Sequence, residues 1–251
     1  MHRFASAFVS VFAAAIVLAV PSSVSAQTYV WSGFYIGASV GGGVSTPDFF
    51  ADEVGSHYNN ERIEGPTSGG FHLAGQVGWD TQLGHNLVAG GQFRIGMSGF
   101  SGEGFAGPGD DTRGRTEGGL EWSVTGRVGY EIYGILPYFK IGALGVSTDV
   151  EVLDDCTTSP CGPLLLHATD KGSATEFVWA IGAEIPLKTK MMGHRWSVGA
   201  EWMFSDFRVL ADATGSATTV GGAAAGGYTW GFQTHYPKGV ISAHLNMYLG
   251  K

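Results

Sequence analysis

The sequence predicts an all-β fold: one eight-stranded, antiparallel, up-and-down transmembrane β-barrel with four long extracellular loops and short periplasmic turns. Three observations predict it. Apolar residues alternate with polar or small ones at period two in eight segments of roughly 10 to 13 residues, about what a tilted strand needs to cross a bilayer core. The connections between the segments alternate short and long, the loop pattern of an outer-membrane barrel. The polar face of the segments carries charges, while charged residues make up only 14% of the chain, as suits a protein whose outside faces something other than water.

The chain opens with residues 1–26, which read as a cleaved signal peptide. Arg3 supplies the positive start, Phe4 to Val20 is apolar and uncharged, and Val24-Ser25-Ala26 is a small-x-small cleavage pattern, predicting cleavage between Ala26 and Gln27. The competing reading, a single helical anchor, has a span at the short limit and a cleavage site directly behind it. No later stretch reaches 18 continuous apolar residues. Residues 27–251 form one barrel domain, with 13 Lys and Arg against 22 Asp and Glu once Arg3 is removed. That acidic balance excludes nucleic acid, whose phosphates would repel it.

The first strand sets Phe34, Ile36, Ala38 and Val40 against Tyr35, Gly37, Ser39 and Gly41. The second sets Phe71, Leu73, Val77 and Trp79 against His72, Gln76 and Asp80; the third, Leu87, Ala89, Phe93, Ile95 and Met97 against Gln92 and Arg94. In the fourth, Trp122, Val124, Val128 and Tyr130 oppose Glu121, Ser123, Thr125, Arg127 and Glu131. The fifth sets Phe139, Ile141 and Ala143 against Tyr138, Lys140 and Gly142, and the sixth sets Phe177 to Leu187, odd positions, against Glu176, Gly182 and Glu184. Trp196, Val198, Ala200, Trp202 and Phe204 of the seventh oppose Ser197, Gly199, Glu201 and Ser205. The eighth sets Ile241, Ala243, Leu245, Met247 and Leu249 against Ser242, His244, Asn246 and Tyr248. Short turns are expected at about 81–86, 132–136 and 188–194, and long loops at about 44–67, 98–120, 148–174 and 207–237.

A lipocalin-like barrel is the rival. Its apolar residues point inward, so Arg94, Glu121, Arg127, Glu131, Lys140, Glu184 and Glu201 would then cover its outside. Loop sorting and the apolar composition favour the inverse, with those seven residues forming a charge network inside the barrel. Eight strands enclose room for side chains or one small ligand, and buried charges must pair. Trp79, Trp122, Tyr130, Trp196 and Tyr248 are expected at the membrane interfaces.

With these pieces in order, the chain resembles the porin-like outer-membrane β-barrel proteins of alphaproteobacteria, which include major surface antigens. The resemblance rests on Trp31-Ser-Gly-Phe-Tyr-Ile-Gly37, Trp122-Ser-Val-Thr-Gly-Arg-Val-Gly-Tyr130, Leu136-Pro-Tyr-Phe-Lys-Ile-Gly142, Trp179-Ala-Ile-Gly-Ala-Glu184 and Trp196-Ser-Val-Gly-Ala-Glu-Trp202. It implies a Gram-negative outer membrane, lipid and lipopolysaccharide around the barrel, and delivery by periplasmic chaperones and the barrel-assembly machinery. The ending, Asn246-Met-Tyr-Leu-Gly-Lys251, departs from the family's terminal aromatic, with Tyr248 the nearest substitute.

The remaining motifs carry less chemistry. Cys156 and Cys161 are expected to form a small-loop disulfide in the oxidising periplasm. Asp48, Asp52, Glu53, Asp110 and Asp111 form acidic loop clusters without the alternating oxygens of a calcium loop. His57, His167 and His235 also fall in loops, where haem or a host ligand could bind. His72 and His244 point inward by parity, so neither an enzyme nor a cofactor is expected. The sequence thus predicts a structural, surface-exposed barrel plugged by charges, against a narrow channel or a loop-borne receptor.

Overall fold

The computed structural model describes residues 31–249 except 46–47, 54–60, 65–67, 85, 106–111, 157–163, 212–216, 220–223 and 226–229. The cleavage site Ala26–Gln27, Cys161, His57, Asp110 and Asp111 lie outside them, and so does the expected disulfide. No helix among the described residues is long and apolar enough to cross a membrane.

Thirteen strands follow in chain order: β1 (Gly33–Ser45), β2 (Asp48–Glu53), β3 (Glu61–Glu64), β4 (Ser68–Leu83), β5 (Leu87–Ser98), β6 (Ser101–Phe105), β7 (Thr112–Tyr130), β8 (Leu136–Cys156), β9 (Leu164–Met191), β10 (His194–Ala211), β11 (Ala217–Thr219), β12 (Ala224–Ala225) and β13 (Trp230–Tyr248). Eight of them make the wall. Each of β1, β4, β5, β7, β8, β9, β10 and β13 pairs antiparallel with the next, and β13 returns to β1 with Tyr35 opposite Tyr248 and Ser45 opposite Lys238. Closure leaves the wall no unpaired edge, which lipid would not tolerate.

The strand faces follow from parity. Phe34, Ile36, Val40, Phe71, Leu73, Val77, Phe93, Ile95, Val124, Val128, Ile141 and Ile181 are exposed on the outside, although all are apolar. Their polar neighbours are buried. In a soluble protein this would be inside out; in a bilayer it is the stable arrangement. Trp79, Trp122 and Tyr130 stand on the outer face as expected, whereas Tyr248 does not. It is 0% exposed and points into the lumen, as its even position on β13 dictates.

The expected long loops are partly strand. β8 runs for 21 residues and β9 for 28, and they stay paired from Leu136–Glu184 at the periplasmic end to Cys156–Leu164 at the other. β2, β3, β6, β11 and β12 add further pairing on the same side. The extensions escape a period-two reading because above the bilayer both faces of a strand meet water, and alternation is no longer required.

The turns are tighter than the sequence suggested. Tyr133-Gly134 and Met192-Gly193 are two-residue hairpin loops in which all four residues have positive φ. Both match the twist of the flanking strands, the property that favours such turns.

Candidate functional site in the barrel lumen

Glycine positions on the wall make space for what fills the lumen. A Cβ on Gly78 would lie 2.3 Å from the Tyr35 ring, and one on Gly182 would lie 2.4 Å from the Tyr138 hydroxyl. Large inward side chains therefore lie across facing glycines, and an eight-stranded barrel is just wide enough to be filled in this way.

Among the described residues, four cations (Arg94, Arg127, Lys140, Lys238) and four carboxylates (Asp80, Glu121, Glu184, Glu201) are buried in the lumen. They sort into three clusters. Nearest the periplasm, Arg127 (β7) donates Nε to Asp80 Oδ1 at 2.7 Å and Nη1 to Glu184 Oε2 at 2.8 Å, and Nη2 also bonds Asp80. The Tyr248 hydroxyl donates to Asp80 at 2.9 Å. Glu184 further accepts from Ser197 and, at 3.0 Å, from Asn246 Nδ2, and Gln76 donates to Asn246 at 2.5 Å. The Arg127 guanidinium also lies 5.4 Å from the centres of the Tyr35 and Tyr138 rings, a cation–π sandwich.

The middle cluster is built on Glu201 (β10). It accepts from Arg94 at 2.9 Å, from Lys140, and from the Tyr138 hydroxyl at 3.0 Å. Lys140 also donates to Gln92 at 2.8 Å. The third cluster lies towards the extracellular side, where Glu121 (β7) pairs with Lys238 (β13) and with His72 Nδ1 at 3.1 Å. Lys238 Nζ sits 4.3 Å above the Phe100 ring.

Two apolar clusters adjoin the network. Phe100, Leu144, Val146, Val178, Ala180, Met203 and Val240 form one in the extracellular half of the lumen, with Met203 and Val240 between Glu201 and Lys238 along their strands. At the periplasmic mouth Trp31, Tyr35, Val88, Leu136 and Tyr248 pack together. Trp31 precedes β1 and crosses the opening. Its backbone N–H donates to Gln82 at 3.2 Å, Ser32 accepts from Gln82 and from Arg195, and its ring meets Tyr248 edge-on at 6.5 Å. Between Gln92, Arg94, Lys140, Glu201 and Met203 a cavity is left with room for about one water molecule.

Six of the seven sequence-predicted network residues, Arg94, Glu121, Arg127, Lys140, Glu184 and Glu201, lie in this lumen. Glu131, expected in the same network, does not. The wall ends at Tyr130, so Glu131 leaves the strand while keeping the parity of Arg127. In the turn, its N–H donates to the Asn86 carbonyl at 2.7 Å. Partial burial raises the Glu131 carboxyl above its ordinary range, and the nearby Trp31 indole pulls it partly back.

Asp80 and Lys238 are the network members that sequence reasoning left out. Asp80 stands on the inward face of the second strand and was legible by parity. Lys238 sits one residue past the expected loop boundary, and extending the parity of Ser242 and His244 would have reached it. The acidic and histidine candidates Asp48, Asp52, Glu53, His167 and His235 lie on strands at places where no side chain is described.

The model of the outer membrane protein beta-barrel domain family matches residues 10–232. The chain belongs to this family. The match ends at the start of β13, so the strand that closes the barrel lies almost wholly beyond it. The 31 kDa outer-membrane immunogenic proteins of Brucella melitensis and Brucella suis are each 28% identical to the chain over 223 residues, covering 82% of this chain and 86% of theirs. Among solved structures, the outer membrane protein OprG of Pseudomonas aeruginosa aligns over 88% of this chain and 99% of its own, with 11% identity and a TM-score of 0.46. Ail, the attachment invasion locus protein of Yersinia pestis, aligns over 84% of this chain and 99% of its own, with 13% identity and a TM-score of 0.28. Family membership and the barrel together place this chain in the Gram-negative outer membrane.

Proposed function

We propose that this family member is a structural, surface-exposed barrel whose lumen is closed by its own side chains and carries no reaction. One observation supports this most: each buried lumen charge among the described residues lies against an opposite charge, and the cavity beside Arg94, Lys140 and Glu201 has room for about one water. A conducting path would have to separate ion pairs in a low-dielectric interior, where stranding one partner costs about 3–5 kcal/mol. The apolar clusters packed against the network work in the same direction. The immunogenic Brucella relatives support display at the cell surface, which the long extracellular extensions of β8 and β9 would serve. Phospholipid on one side and lipopolysaccharide on the other are its proposed surroundings, reached through periplasmic chaperones and the barrel-assembly machinery.

The test is single-channel recording of refolded mature protein in a planar bilayer, with heat-modifiable gel migration as proof of closure. Folded protein should give no steady openings. Reproducible openings from the folded species would replace this reading with that of a narrow channel.

A further inference from the structure

The periplasmic turns carry side chains that their backbone disfavours. Tyr133 and Met192 have φ of 53° and 57°, and they are the non-glycine residues with positive φ among the described residues. The first position of such a two-residue turn suits Asn, Asp or Gly, because a bulky side chain crowds the following carbonyl there. Both side chains are also almost fully exposed, at 88% and 89%. A large apolar side chain that is strained and covered by nothing stabilises neither its turn nor a core.

Each tip continues the lipid-facing belt. On the β7–β8 hairpin the exposed series runs through Val128, Tyr130, Ile132, Tyr133, Ile135 and Phe139 without a polar break on that face. On the β9–β10 hairpin, Ile181 higher on the wall is followed at the tip by exposed Met191 and Met192. Charge distinguishes the second tip. From residue 185 to 200 the sequence has no Asp or Glu but has Lys188, Lys190 and His194 beside the tip, while Arg195 is turned to Ser32, in a chain of net charge −8. Apolar tips next to basic residues match a phospholipid headgroup layer, where apolar side chains reach the acyl boundary and cations meet phosphate.

We propose that the Ile132–Ile135 and Met191–His194 turns are immersed in the periplasmic leaflet as membrane anchors, the second one binding phospholipid phosphate. The barrel is therefore seated deeper on its β7–β10 side than the positions of its periplasmic strand ends imply.

Methionine methyl NMR on the mature protein in phosphatidylglycerol nanodiscs tests this, with Met192 assigned from the spectrum of the Met192→Leu variant. Lipid spin-labelled near the headgroup should broaden the Met192 methyl, and a water-soluble paramagnet should leave it sharp. The protein supplies its own controls. Met97, exposed on the wall, reports lipid contact, and Met203, buried in the lumen, reports neither agent. Broadening by the soluble agent alone would put the turn in water and overturn the proposal. Protection from both agents would mean that a protein surface covers the turn and would overturn it equally. In phosphatidylcholine nanodiscs, where choline neutralises the headgroup phosphate, the lipid-borne broadening should fall at least twofold; equal broadening would remove the electrostatic attraction to the headgroup from the proposal.

Discussion

Arg127 shows what a single side chain does in this lumen. It holds Asp80 and Glu184 at once and lies between two tyrosine rings, so its removal strands two buried carboxylates. Arg127→Leu should lower stability by about 3–5 kcal/mol, read from urea unfolding in lipid vesicles. Lys140 and Glu201 give the complementary case. Replacing both by Met removes a pair together, leaving Arg94 without Glu201 but near Gln92. The double variant should be less destabilised than the sum of Lys140→Met and Glu201→Met, a coupling that a double-mutant cycle measures directly. Gly182 carries a steric constraint instead: Gly182→Ala would push a methyl into the Tyr138 hydroxyl, which itself bonds Glu201. A loss of about 1–3 kcal/mol in the same unfolding assay is expected.

At the scale of elements, the periplasmic end is organised by a segment that belongs to no strand. Trp31 and Ser32 tie β1 to Gln82 of β4 and to Arg195 of β10. Trp31→Ala should cost about 3–5 kcal/mol, and the near-ultraviolet circular dichroism of the aromatic cluster should diminish with it. The strands themselves were legible where they cross lipid. Phe93, Arg94 and Ile95 must alternate there because each face has a different solvent, so period two is enforced residue by residue. Beyond the bilayer the constraint lapses, which is why Thr148 to Cys156 read as loop and folded as strand. Turn chemistry was legible only in part. Gly134 and Gly193 mark positive φ, but Tyr133 and Met192 carry no local sign of it.

For the molecule as a whole, parity was sufficient to say which charges enter the lumen and insufficient to say whom each one meets. Lys140 faces Arg127 directly across β7–β8, yet its partners Gln92 and Glu201 come from β5 and β10, across the lumen. Partner choice depends on barrel closure, which brings together strands far apart in the chain, and no local pattern records it. The same enclosure separates these pairs from mobile ions. Screening acts on charges in contact with electrolyte, so the urea midpoint of the barrel should hardly move between about 0.1 and 1 M salt. A marked fall with salt would mean that water and ions reach the network.

The even count of lumen charges has an electrical consequence. A potential across a membrane exerts about 2.3 kcal/mol of force-times-distance per elementary charge per 100 mV. With as many cations as carboxylates fixed along its axis, the described lumen presents no net charge for such a field to pull. What the field meets is a dipole, set by how the clusters are stacked and held by the wall. Changes in the ionic balance between periplasm and medium therefore exert no net pull on the charges of the described lumen.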